Sequence, residues 1–264
     1  MPFTVSHAAA VIPAARWLRR RGLLSAAVIG CMVPDFAYFL PVRLMRWQTH
    51  SLPALFSFCL PVGLSSWLLL QALLKPAVIE VFPDRWYQRL VQEHSRGLPD
   101  SLSQWFAVVV ALLLGALSHL VWDGFTHESG RGVRLLPEFE DAMVHFAGHD
   151  WHVYRLLQHG SSVIGLVLVL GALALWMYRT PRPAQPLPRR LGRIERWCWL
   201  AVYCVAPTLV AAAAAAEAWS DGGDILRSAD GLTAIAVAGM GSTLGSLIVV
   251  SALLRVRLSA RLRR

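Results

Sequence analysis

No GxSxG, P-loop, HExxH or glycine-rich dinucleotide fingerprint occurs in the chain. These absences remove serine-nucleophile catalysis, phosphate-loop nucleotide binding, the zincin helix and dinucleotide binding as readings. Cysteine is scarce. The four present, Cys31, Cys59, Cys198 and Cys204, lie in apolar stretches and none has a CxxC partner. A disulfide framework and a thiolate zinc site are therefore not expected, and the four read as small core hydrophobes. The start, MPFTVSHAAAVIPAARW, has no basic region ahead of its apolar stretch and is interrupted by Pro13, so it is not read as a cleavable signal. Acidic residues are outnumbered, 16 Asp and Glu against 25 Lys and Arg, for a net charge of +9. Histidine is absent from the last hundred residues: all nine precede position 160.

What the chain does have in quantity is apolar sequence. Fifty-six per cent of its 264 residues are hydrophobic, 11 are Trp, and the mean hydropathy is +0.49. Several runs approach or exceed the roughly 18 to 20 apolar residues that cross a bilayer. The expected fold class is all-α: a polytopic helical membrane protein with six to seven embedded helices, the first of them short enough to be re-entrant. The seven segments are 4–18, 23–40, 52–74, 104–123, 160–178, 198–220 and 231–254. Pro34, Pro61 and Pro207 lie inside such segments, where neighbouring helices must satisfy the freed carbonyls.

The basic charge reads as membrane orientation rather than as a nucleic-acid surface, because arginine is concentrated in RWLRRR (16–21), in the linker RTPRPAQPLPRRLGRIER (179–196) and in the tail RVRLSARLRR (255–264). The positive-inside rule puts these on one, cytoplasmic side and SDGGDILRSAD (220–230) on the other. The expected location is the bacterial cytoplasmic (inner) membrane, with a cytoplasmic C-terminus. VIEVFPDRWYQRLVQEH, residues 78–94, reads as a short interfacial amphipathic helix. Three regions follow: a His/Asp-containing helical domain over 1–178, an extended proline- and arginine-rich linker over 179–197, and a hydrophobic helical pair over 198–264. The pair, with Gly239, Gly241 and Gly245, is an expected packing or homo-oligomer surface.

Ionisable groups inside apolar segments are costly and mark function by default. In SHLVWDGFTH (118–127), His119, Asp123 and His127 recur every fourth residue and share one helix face. Asp35 follows Pro34 among apolar and aromatic neighbours. If 19–22 is the tip of a helical hairpin, His7 and Asp35 each lie fourteen residues from Arg21, which brings them to one depth about 20 Å from the turn. His50 follows Asp35 in the next loop, and His159 opens the fifth segment. His7, Asp35, His50, His119, Asp123, His127 and His159 thus converge on one mouth. Five imidazoles and two carboxylates suit a divalent metal, zinc first and manganese second, in more than one position. The segment FAGHDWHVY, with His145, His149, Asp150 and His152, reads as a solvated amphipathic stretch. Glu128, Glu138, Glu140 and Asp141 are bases only by proximity.

The residues MPFTVSH, GCMVPDFAYFL, HSLPALFSFCLP, LGALSHLVWDGFTH and VYRLLQHGSS together resemble an uncharacterised bacterial membrane family, domain of unknown function 4184, over about residues 1–178. That resemblance implies the membrane class and no activity. More distantly, the order His, Asp, His, HxxxD, His is similar to the ligand order of zinc-dependent phospholipase C and of membrane-bound metal-dependent hydrolases. The likeness implies Asp35, His50, His119 and Asp123 around one metal, His7 with Asp123 at a second, and His127 with His159 at a third. It also implies Asp35 and Asp123 as the catalytic carboxylates. The sequence departs from the phospholipase pattern at Val163, where an acidic ligand would follow His159. The implied activity is metal-assisted hydrolysis of an amphiphilic phosphoester drawn from membrane lipid, with Trp47, Trp122 and Trp151 at the interface. A non-catalytic membrane scaffold and a divalent-metal transporter are the alternatives; segments five to seven lack the polar path a transporter needs.

Overall fold

The computed structural model describes residues 4–40, 44–94, 97–136, 138, 143–146, 148–183, 185, 187–220 and 229–262. All seven apolar segments are helical. We label α1 the 3₁₀ stretch Thr4–Ala14 continued by Ala15–Arg20, and α2 Leu24–Met32 continued by the 3₁₀ stretch Val33–Phe39. α3 is Arg46–Thr49, α4 Leu55–Val81, α5 Asp84–His94, α6 Leu102–Thr126 and α7 Arg131–Leu135. The hairpin β1 (Met143–Phe146) and β2 (His149–His152) follows, then α8 (Val153–Arg179), α9 (Arg193–Ser220) and α10 (Ala229–Leu262).

Among the described residues, five helical stretches are long and apolar enough to cross a membrane: Leu55–Val81, Leu102–Thr126, Val153–Arg179, Arg193–Ala213 and Gly239–Ala260. The protein is a helical membrane protein. At 1.5 Å per residue α6 is about 37 Å long, ample for a hydrocarbon core of about 30 Å. The surface of α8 is correspondingly apolar and exposed, at Val163, Ile164, Val167, Leu168 and Leu170, as a lipid-facing helix must be. Among the described residues one antiparallel pair occurs, with His145 opposite Asp150, in the stretch expected from sequence to be a solvated amphipathic segment. Its tip is Gly148 at φ 78°, a left-handed conformation that costs glycine least.

The chain divides into two units. The first comprises Met1–Phe36, Leu44–Trp67 and Pro99–Tyr178. Its centre is the packing of α2 on α6, which is unusually close. A β-carbon on Gly30 would meet the backbone carbonyl of Leu112, and one on Gly115 would meet that of Ala27. Gly22 turns the α1–α2 hairpin at φ 75°. A β-carbon on Gly165 of α8 would lie 2.8 Å from the Ser6 carbonyl oxygen, so α8 closes directly on the N-terminal arm.

The second unit comprises Ala37–Arg43, Leu68–Leu98 and Arg179–Arg264. Its core is Ala77 and Val81 of α4, Leu191, Tyr203 of α9, and Val250, Leu254 and Leu258 of α10. Tyr203 and Ser251 share a buried hydrogen bond of 2.8 Å. Among the three glycines marked in the sequence, only Gly241 would bring a β-carbon tightly onto backbone, 3.3 Å from the Phe39 carbonyl oxygen. The acidic loop expected to mark the other side of the membrane falls mostly at 221–228, outside the described residues.

The segment around 187–191 is docked rather than free. Gln88 of α5 pairs with Leu187 as a strand would, accepting from its N–H at 2.7 Å and donating to its carbonyl at 3.2 Å. The Tyr87 hydroxyl donates to the Pro188 carbonyl at 2.7 Å. Arg189 bonds Asp84 and the Phe82 carbonyl, and lies 4.0 Å over the Tyr87 ring. Four prolines alone suggest an extended spacer; the polar face of α5 supplies partners that prolines cannot. The hydrogen bond from Arg189 holds the Asp84 carboxyl below the usual carboxylate range. A depressed folded value stabilises above the unfolded one and is lost as pH falls through it. Gln88→Ala should loosen 187–190 first, at about 0.5–1.5 kcal/mol per bond lost, measured as faster amide exchange at Leu187. Acidification below about pH 4 should add to that loosening.

Candidate metal centre

The site is built in the first unit from the hairpin arms, the α3 turn and the last turns of α6. His7 comes from α1, Asp35 from the 3₁₀ half of α2, and His50 from the residue after α3. His119 and Asp123 lie on α6, and His127 is its C-cap.

Local sequence fixes each ligand. Pro34 converts α2 to 3₁₀ geometry and has no N–H, so the Cys31 carbonyl, whose 3₁₀ partner would be residue 34, is open to another donor. His119 Nδ1 takes it at 2.7 Å. With Nδ1 donating, His119 Nε2 carries the lone pair and points into the cluster, the arrangement that metal-ligating histidines use. His50 repeats the device. Its Nδ1 donates to Thr49 Oγ1 at 2.7 Å, and that hydroxyl donates to the Arg46 carbonyl at 3.3 Å. Asp35 Oδ2 accepts from Thr4 Oγ1 at 2.9 Å, leaving Oδ1 to the cluster. Restoring an N–H with Pro34→Ala gives the Cys31 carbonyl a competing donor and should weaken metal affinity about 10- to 100-fold. A chelator competition titration reads that change directly.

The ligand atoms meet closely. His50 Nε2 lies 3.3 Å from Asp35 Oδ1 and 3.5 Å from Asp123 Oδ2. His119 Nε2 lies 3.7 Å and 3.5 Å from the same two oxygens. These separations exceed ordinary hydrogen bonds of about 2.7–3.2 Å. Three of the four match the edges of a tetrahedron with bonds of about 2.0–2.2 Å, roughly 3.3–3.6 Å, and the His119–Asp35 separation of 3.7 Å lies just beyond it. Asp123 Oδ1 points the other way, 3.7 Å from His7 Nε2 and 3.5 Å from His127 Nδ1. The His7 ring stacks on that of His119 with centroids 3.8 Å apart. Two groups, His7–His119–Asp123 and Asp35–His50–His119, hold their ligand atoms within 4.8 Å of one another, the spacing that can hold a metal ion.

Burial makes the arrangement costly without an occupant. His119 is fully buried and Asp123 is 4 % exposed. Nε2 of His7, His50 and His119, together with Asp123 Oδ1, are buried with no hydrogen-bond partner. Each such group costs about 1–3 kcal/mol, so four in one place call for a shared partner.

His127 sits at the edge. Its Nε2 accepts from the Gln158 amide at 3.0 Å, and burial lowers its affinity for a proton, against the opposing pull of Asp123. His159 is brought elsewhere. It is exposed, with its ring 6.0 Å from that of Trp151, and it belongs to neither ligand group among the described residues. His145 and Asp150 pair at 3.0 Å on the exposed hairpin, and His152 stacks on Tyr154. The His149 side chain, Glu140 and Asp141 lie outside the described residues; Glu128 and Glu138 are exposed. Trp47 and Trp122 are exposed at 70 % and 45 %.

Sequence reasoning misses two participants. Gln158, adjacent to the expected ligand, holds His127. Arg46 donates from Nη2 to Asp123 Oδ2 at 2.8 Å, with its side chain 39 % exposed. The only signal for Arg46 is its i, i+4 spacing to His50 across the α3 turn.

Against known families, the profile of one family matches residues 1–257, nearly the whole chain. The chain belongs to the family named domain of unknown function 4184. The match reaches past residue 178 into α9 and α10, so this family includes the C-terminal helices as well as the His/Asp unit. No curated protein and no solved structure matches the chain.

Proposed function

We propose that this member of the 4184 family is a membrane-embedded, metal-dependent hydrolase acting on a phosphoester carried by a membrane amphiphile. The observation that carries the reading is the convergence of His50 Nε2 and His119 Nε2, both buried without a hydrogen-bond partner, on Asp35 Oδ1 and Asp123 Oδ2 at near-tetrahedral spacing, with the equally unpartnered His7 Nε2 and Asp123 Oδ1 beside them. Asp35 Oδ1, His50, His119 and Asp123 Oδ2 would hold one divalent cation, zinc or manganese. His7 and Asp123 Oδ1, flanked by His127, would hold a second, which makes Asp123 the shared carboxylate. When bound, such ions supply acidified water and neutralise charge on the reacting oxygens.

The chain's own residues hold and orient. Thr4 and the Cys31 carbonyl fix the ligand set, and the α2–α6 packing excludes bulk water from its inner face. In the reaction, the oxygen of water bonds to phosphorus, the ester P–O bond breaks, and the alcohol leaves with a proton. The arginines at the hairpin tip, Arg16 to Arg21, lie at the opposite end of α1 and α2 from His7 and Asp35. Under the positive-inside rule this supports a mouth on the outer side of the cytoplasmic membrane.

The test is turnover by full-length protein in detergent micelles, with zinc or manganese added, on a phosphatidylglycerol and phosphatidic acid panel. Hydrolysis that stops with chelator and is reduced to background in Asp35→Asn supports the reading. A metal-loaded protein inert on both phosphomonoesters and phosphodiesters would contradict it and leave a structural ion in a scaffold.

A further inference from the structure

Arg46 is the one cation that touches the cluster among the described residues, and its placement is not that of an ordinary counter-ion. The α3 turn carries it and His50 as a unit. His50 N–H and Thr49 Oγ1 both donate to the Arg46 carbonyl, at 2.8 and 3.3 Å, and the Gln48 amide oxygen caps the Met45 N–H at 2.7 Å. One guanidinium nitrogen reaches down to Asp123 Oδ2 at 2.8 Å, yet the side chain is 39 % exposed. The group therefore spans from the buried carboxylate to the open side. On the same short turn Leu44, Met45 and Trp47 are exposed at 37 %, 69 % and 70 %, an apolar collar around a positive charge.

Charge decides what faces that guanidinium. The two buried carboxylates, Asp35 and Asp123, are balanced by one divalent ion, so with the cluster loaded Arg46 is surplus positive charge at the mouth. A second ion increases the surplus. Such a mouth attracts an anion, and a guanidinium offers a planar fork of donors matched to phosphate oxygens. The apolar collar suits an anion attached to a membrane amphiphile.

We propose that Arg46 is the anion-binding residue of this site, holding a non-reacting oxygen of a phosphate group at its mouth. This rests on the metal-dependent reading of the site but concerns a separate group. Two sources share the chemistry, a lipid headgroup and free phosphate.

The experiment uses full-length protein in dodecyl maltoside, as wild type, Arg46→Ala and Arg46→Lys. Metal content is measured by elemental mass spectrometry, and inorganic phosphate affinity by calorimetric titration with and without added zinc. The expected result is metal content in Arg46→Ala equal to wild type, with phosphate affinity weakened about 10- to 100-fold, the loss of one or two charge-assisted hydrogen bonds. Arg46→Lys should recover part of the affinity, because it keeps the charge without the fork. Mixed phosphatidic acid and phosphatidylcholine vesicles that compete with phosphate would identify the lipid headgroup as the source; competition by free phosphate alone would identify the soluble anion. Unchanged phosphate affinity in Arg46→Ala overturns the proposal while leaving the metal centre standing, and so does loss of metal in that variant. Wild type that takes up no metal overturns the hydrolase reading and, with it, the surplus charge on which the Arg46 assignment rests.

Discussion

Asp123→Ala should empty the metal centre while leaving the helix intact. Both carboxylate oxygens face the cluster, Oδ2 toward His50, His119 and Arg46, and Oδ1 toward His7 and His127. Losing a carboxylate with both oxygens in the cluster exceeds the loss of an outer-shell partner, which typically costs 10- to 100-fold in affinity, so the expected drop is at least about 100-fold. Turnover falls further, about 10³-fold or more, because several kcal/mol of charge stabilisation goes with the ions. Alanine is a good helix former, and Arg46 is exposed enough to turn to water, so α6 persists. The check is metal content beside circular dichroism on the same sample. A variant that keeps its helicity and its metal would remove Asp123 from the ligand set.

Gly115→Ala should be among the most damaging single-methyl additions in the chain. The new β-carbon would collide with the Ala27 carbonyl and crowd the Cys31 N–H at 2.7 Å. Backbone cannot yield as a side chain tip can, so α2 and α6 must separate. Overpacking usually costs 1–3 kcal/mol, and a backbone collision at a helix crossing sits at about 3 kcal/mol or more. Separation also breaks the bond from His119 to the Cys31 carbonyl, so metal affinity falls with stability. Gly171→Ala is the control. Its β-carbon would meet nothing within 4 Å, and replacing a mid-helix glycine gains about 0.5–1 kcal/mol. Thermal unfolding in detergent should move in opposite directions for the two; equal shifts would contradict the close α2–α6 crossing.

The helical membrane class is legible in the sequence because apolar runs of bilayer length have few other solutions. The HxxxDxxxH face is legible too, since i, i+4 spacing fixes three side chains without tertiary information. Less is legible where the outcome depends on a helix start. The polar stretch VYRLLQH looks like a loop before an apolar run, yet it forms the first turns of α8, which begins at Val153. That start points Gln158 at His127 and leaves His159 exposed. Arg46 is illegible for a similar reason, since its meaning lies in a four-residue turn. The glycines that matter most for packing the site, Gly30 and Gly115, look no different in sequence from those in the C-terminal pair. Only the crossing of two helices distinguishes them.

The most direct test of the metal centre is elemental mass spectrometry on wild-type protein, purified in detergent and dialysed against zinc and manganese. The account predicts about one to two ions per chain, removed by chelator and restored on readdition. Protein that is folded, takes up no divalent metal and still has its four buried ligand atoms facing one another would contradict it.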